Sequence, residues 1–76
     1  MWIKIVDRRI NTDKLDIISY YDDLENNSKM KYKIKLHFTS KEILICSFVE
    51  KEERNNYIKY LDELLDTTII SKDKKK

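Results

Sequence analysis

Ten residues in the middle of the chain alternate without error: Met30, Tyr32, Ile34, Leu36 and Phe38 against Lys31, Lys33, Lys35, His37 and Thr39. Side chains of a strand point to opposite faces in turn, so this run predicts a strand with one buried and one wet face. Three other segments read as strands on β-branched or apolar content. They are residues 2–6 (Trp-Ile-Lys-Ile-Val), 15–21 (Leu-Asp-Ile-Ile-Ser-Tyr-Tyr) and 43–49 (Ile-Leu-Ile-Cys-Ser-Phe-Val). Asp7 to Lys14 is polar apart from Ile10 and reads as a turn or wide connection. Asp22 to Lys29 is rich in Asp and Asn, the residues at which a chain without glycine most readily turns.

From Glu50 to Asp66 the period changes. Tyr57, Ile58, Leu61, Leu64 and Leu65 fall on one stripe of a 3.6-residue repeat. Glu50, Glu52 and Glu53 stand in the first turn, where the helix dipole favours acids. Thr67 to Ile70 is β-branched and ends the helix, with Ile69-Ile70 available as an edge strand. The fold expected is α+β: a four-stranded antiparallel meander followed by one C-terminal amphipathic helix, ββββα. Residues 1–70 form a single domain and 71–76 a flexible, lysine-rich tail.

One helix covers one face of such a sheet, yet two strands are apolar on both. In the second strand Leu15, Ile17 and Tyr21 lie opposite Ile18 and Tyr20. In the fourth, Leu44, Cys46 and Phe48 lie opposite Ile43, Ile45 and Val49. If a four-residue turn pairs Phe38 with Ile43, Leu44, Cys46 and Phe48 share the lysine face. If a bulged turn pairs Phe38 with Leu44, Ile43, Ile45 and Val49 do. Both registers stay open. Either way an apolar strip lies beside the lysines, and uncovered apolar surface on a small domain marks a protein contact. The expectation is a homo-oligomer, most simply a twofold dimer, with Trp2, Ile18, Tyr20, Leu44, Cys46 and Phe48 as candidate self-association residues. The alternative is that Trp2, the tail and the lysine stems fold over that face within one chain.

Composition narrows the chemistry. The 76 residues include no glycine and no proline, which excludes dinucleotide-binding and phosphate-loop glycine motifs, nucleophile elbows and polyproline ligands. A single cysteine excludes an internal disulfide framework and a cysteine-based zinc cluster. The net charge of +2 hides a division. Residues 1–41 hold nine basic and six acidic side chains, 42–71 three and seven, and 72–76 four and one. A pI of about 8.6 lies below the range of dedicated DNA-binding domains, above about 9. The longest nearly apolar run, seven residues at Ile43–Val49, is short of the ~20 that a membrane helix needs, so no membrane association is expected. A lone thiol with no export signal suggests the cytoplasm.

The candidate anion or nucleic-acid site is the row Lys29, Lys31, Lys33, Lys35 and His37. Alternate residues of a strand recur every ~6.6–6.8 Å, close to the interval between phosphates of an extended nucleic acid. Tyr20, Tyr21 and Trp2 are available as stacking platforms. Alternating lysines are also the ordinary wet face of a strand and a deterrent to aggregation. The mostly acidic outer face of the helix (Glu52, Asn56, Lys59, Glu63, Asp66) reads as solvated, or as a mimic of nucleic acid. A Cys46–His37 nucleophile pair is disfavoured because Cys46 lies in an apolar strand where the thiolate is costly. No catalytic residue, no metal site and no cofactor is expected; Asp22, Asp23 and Glu25 lack the glycine of a calcium loop.

Three segments, MWIKIVDRRINTDKLDIISYY, KYKIKLHFTSKEILICSF and EERNNYIKYLDELL, cover most of the chain. Together they resemble small strand-meander-plus-helix proteins of AT-rich Firmicutes and their phages or plasmids, a group that includes anti-defence (anti-CRISPR-like) inhibitors. The resemblance implies a non-enzymatic binder that acts on a host defence protein or sequesters an anionic nucleotide, in the host cytoplasm if phage-encoded. A nucleic-acid-binding module and a structural interaction domain without small ligand are the alternatives.

Overall fold

A computed structural model describes residues 1–25, 27 and 29–72. It is α+β, with six strands in two sheets and one helix. The expected meander exists only in part. The first strand, β1 (Trp2–Ile5), pairs with a strand the sequence pattern conceals, β2 (Arg8–Asn11), to make a separate antiparallel hairpin. Only Ile10 of β2 is apolar, so no alternation marks it; burial of Ile10 opposite Ile3 holds it in place. The two-residue turn Val6-Asp7 places Val6 at φ 59°, a region that branched side chains rarely enter. The Val6 amide donates to the Tyr57 hydroxyl at 3.2 Å, which ties this turn to the helix.

A short 3-10 turn (Thr12–Lys14), capped by the Asn11 side chain, leads into β3 (Leu15–Asp22). Then come β4 (Tyr32–Phe38), β5 (Ile43–Phe48), the helix α1 (Lys51–Leu64) and β6 (Thr68–Ser71). The main sheet has the order β5-β4-β3-β6. Its first three strands are antiparallel neighbours, whereas β6 runs parallel to β3. The sheet is therefore mixed. A parallel return needs a crossover, and α1 supplies it by carrying the chain from the β5 edge to the β6 edge. Ile69 and Ile70 do add the edge strand.

Two backbone irregularities decide which side chains meet. A bulge between Leu15 and Ile17 gives β3 one extra residue, so Leu15 joins Ile18 and Tyr20 on the covered face instead of Ile17 and Tyr21. Between β4 and β5, Phe38 donates its amide to the Glu42 carbonyl, and Lys41 stands at φ 74° in a three-residue loop. Leu36 then faces Leu44, and Ile34 faces Cys46. Phe38 thus pairs with neither Ile43 nor Leu44, the two registers expected. The faces are those of the bulged alternative: Leu44, Cys46 and Phe48 go to the core, and Ile43 and Ile45 stand beside the lysines.

The covered face carries Ile18, Ile34, Leu36, Cys46 and Phe48, closed over by Leu61 of α1 and by Ile3, Ile5 and Ile10 of the hairpin. Arg54 completes this layer. It lies on the helix stripe with Tyr57, Ile58, Leu61 and Leu65, and only 1% of it is exposed. Its guanidinium donates to the Tyr21 carbonyl (2.9 Å), the Lys33 carbonyl (3.4 Å) and Asp22 Oδ1 (2.9 Å). It sits 5.1 Å from the Tyr20 ring centre and 5.8 Å from that of Tyr32. Every charge-bearing nitrogen thus has a partner, which a buried cation requires. Leu64, expected on the stripe, is exposed.

Candidate functional site

The second face of the main sheet has no helix over it among the described residues, and pairing arranges its side chains in three rows. Tyr21, Lys33 and Ser47 form the first. Ile70, Ser19, Lys35 and Ile45 form the second, and Thr68, Ile17, His37 and Ile43 the third. The centre is cationic because β4 keeps its lysines on this side. The borders are apolar because the β3 bulge and the β5 register turn isoleucines outward.

Within the rows the polar groups meet. Lys33 Nζ donates to Ser47 Oγ at 2.9 Å, and Ser19 Oγ lies 3.4 Å from His37 Nε2. Ser19 is fully buried at the floor, walled in by larger neighbours on its own and adjoining strands. Above it lies a groove of about 830 Å3, lined by Ser19, Tyr21, Lys35, His37, Lys51 and Lys72 and bordered by residues 22–25. That volume is within the ~300–1,000 Å3 of small-molecule sites. Asp22 at its border is already engaged by Arg54 (2.9 Å) and Lys51 (3.4 Å), so its charge is offset. Burial, together with the Asp23 carboxylate, pushes the Tyr21 hydroxyl above its ordinary value, so it remains a hydrogen-bond donor at neutral pH.

The structure brings together only part of the lysine row. Lys33, Lys35 and His37 share the open face, whereas Lys29 and Lys31 precede β4 in the connecting segment. The proposed stacking residues divide as well: Tyr21 stands directly opposite Lys33, but Tyr20 packs on the core and Trp2 lies in the separate hairpin. Lys72 adds a cation that the sequence offered only as part of a tail; residues 73–76 lie outside the described residues. Ser19 and Ser47 carried no sequence signal, since a serine inside a strand reads as filler until its register is known.

The candidate self-association residues are placed otherwise than expected. Ile18, Cys46 and Phe48 are core residues, and Tyr20 and Leu44 pack against the core. Only Trp2, 66% exposed, stands at the surface. On the other side of β5, Ile43 and Ile45 are left exposed, as is Val49 just after it. Cys46 and His37 occupy opposite faces of the sheet, so they form no pair. Burial raises the Cys46 thiol above its ordinary value; Arg8 nearby opposes this and Asp7 adds to it.

Among the described residues no cluster of three metal-ligating side chains occurs, and no helix is long and apolar enough to cross a membrane. No family model, curated protein or solved structure matches the chain.

Proposed function

We propose that this is a non-enzymatic binding protein that sequesters an anionic nucleotide on its open sheet face. The single observation that carries this reading is the placement of Lys33, Lys35 and His37 on the uncovered face, beside two hydroxyls, a tyrosine and a groove of nucleotide size. Lys35 and Lys72 supply charge for phosphate, and the His37 ring and the Tyr21 phenol supply hydrogen-bond donors. Tyr21 presents a ring to a base, and Asp23 and Glu25 at the border accept from sugar hydroxyls or base amines. No step of bond-breaking is invoked: the cysteine faces the core with its thiol held protonated, and the histidine leans on a serine buried too deeply to attack a substrate.

The resemblance to mobile-element proteins supplies the setting. A small protein that removes an anionic nucleotide signal, or docks on a host defence protein, inhibits defence without turnover. Calorimetry with cyclic mono- and dinucleotides tests the reading. Saturable, stoichiometric heat that Lys35→Glu abolishes supports it, and no heat with any nucleotide removes it.

A second reading is favoured by one observation, the direct pairing of Tyr21 with Lys33 on the same face. Single-strand binding proteins join stacking rings to a basic track in this way. Affinity for an oligonucleotide that exceeds that for mononucleotides, and falls linearly in log–log form with salt, assigns the face to nucleic acid instead.

A further inference from the structure

We propose that β5 is the seam of a twofold dimer in which the two main sheets join edge to edge. This does not rest on the nucleotide reading, because it uses the edge of the sheet and not the groove.

Among the described residues the sheet ends at β5, which pairs with β4 alone. The Phe38 amide reaches the Glu42 carbonyl, and antiparallel pairs alternate between facing and averted backbone groups. Leu44, Cys46 and Phe48 therefore direct their backbone towards β4. Ile43, Ile45 and Ser47 direct theirs outward, with no backbone partner among the described residues. Proteins guard such edges with charges, proline, bulges or brevity. The hairpin carries Lys4, Arg8 and Arg9, and β6 is four residues long. β5 has six residues, Ile-Leu-Ile-Cys-Ser-Phe, without a charge or a proline. Its outward residues Ile43 and Ile45 are 54% and 41% exposed.

The occupant this edge fits is a second copy of itself. A twofold axis at Ile45 sets Ile45 against the partner's Ile45, and Ile43 against the partner's Ser47. None of the three has a backbone partner for its outward groups among the described residues, so the ladder closes in register. The isoleucines form one apolar strip across the seam. Nothing of like charge is brought into contact: Lys35 and the partner's Lys35 are three strand spacings apart, roughly 14 Å, beyond the ~8 Å screening length of physiological salt. A six-residue seam is smaller than the ~800 Å2 per partner of a standard interface, so the dimer is reversible and dissociates in the micromolar range.

Sedimentation equilibrium from about 5 to 500 µM tests this, with far-ultraviolet circular dichroism checking that each variant folds. The wild type is expected to pass from monomer to dimer across that range, and Ile45→Lys, at an exposed position, is expected to remain monomeric. An independent readout is oxidative cross-linking. Ile45→Cys is expected to give a covalent dimer, since a directly opposed pair lies about 5.5 Å apart at Cα, within disulfide reach. Ile43→Cys is expected to give none, since Ile43 and the partner's Ile43 stand roughly 14 Å apart at ~3.4 Å per residue. A wild type that is monomeric throughout overturns the proposal. So does a dimer that survives Ile45→Lys, or one that cross-links through Ile43→Cys and not Ile45→Cys.

Discussion

Arg54 and Asp22 form an ion pair of 2.9 Å that joins the first turns of α1 to the end of β3, with the guanidinium enclosed between two tyrosine rings. The pair couples fold to site, because Asp22 opens the 22–25 segment that borders the groove and is the residue to which Lys51 also turns. Removing one partner of a buried pair leaves an uncompensated charge or unpaired acceptors. Arg54→Ala is expected to destabilise by about 3–5 kcal/mol, with Arg54→Lys intermediate because it keeps the charge but loses the fork of donors. Urea unfolding measures both; a loss below about 1 kcal/mol in Arg54→Ala would show that water replaces the guanidinium.

Val6 occupies a left-handed backbone position that only glycine adopts without strain. Val6→Gly relieves that strain and gives back part of the gain as unfolded-chain entropy. A net stabilisation of about 0.5–1 kcal/mol is expected, read as a rise in thermal midpoint. A fall would mean that the 48%-exposed valine side chain packs more than it strains.

Burial raises the Cys46 thiol above its ordinary value of 9.0. Two consequences follow. At neutral pH the native protein should react with a thiol-specific reagent many times more slowly than the unfolded chain. In addition, the unfolded state loses its proton first as pH rises, so stability contributed by this group is fully present below pH 9 and declines above it. Tyr21, raised from 10.0, adds to the decline at still higher pH. Denaturation curves between pH 7 and 10.5 measure the slope, and Cys46→Ala should flatten its first part.

How far this was legible in the chain depends on what each residue type signals. The alternation of Tyr32 to Phe38 is unambiguous, because a lysine at every second position has one place to go, and the open face follows from it. The helix stripe from Tyr57 to Leu61 is equally plain. Arg54 is not, since a cation beside Glu52 and Glu53 reads as solvated; its burial depends on carbonyls and rings that arrive from β3 and β4. Ile10 alone among Arg8, Arg9 and Asn11 gives no period, so β2 and the hairpin are concealed. The faces of β3 and β5 turn on one extra residue near Asp16 and on a left-handed Lys41. Neither carries the glycine or asparagine by which such irregularities are usually recognised. For that reason the expected contact residues on β5 were the inward ones, and the outward isoleucines emerge only from the register.

The most direct measurement of the central claim is an amide chemical-shift titration of the labelled protein with cyclic nucleotides. If the open sheet face is the binding surface, perturbations concentrate at Ser19, Tyr21, Lys35, His37 and Lys51 and along 22–25, and Lys35→Glu removes them while α1 beyond its first turn stays unshifted. Perturbations confined to α1 or the hairpin, or none at millimolar nucleotide, would contradict it.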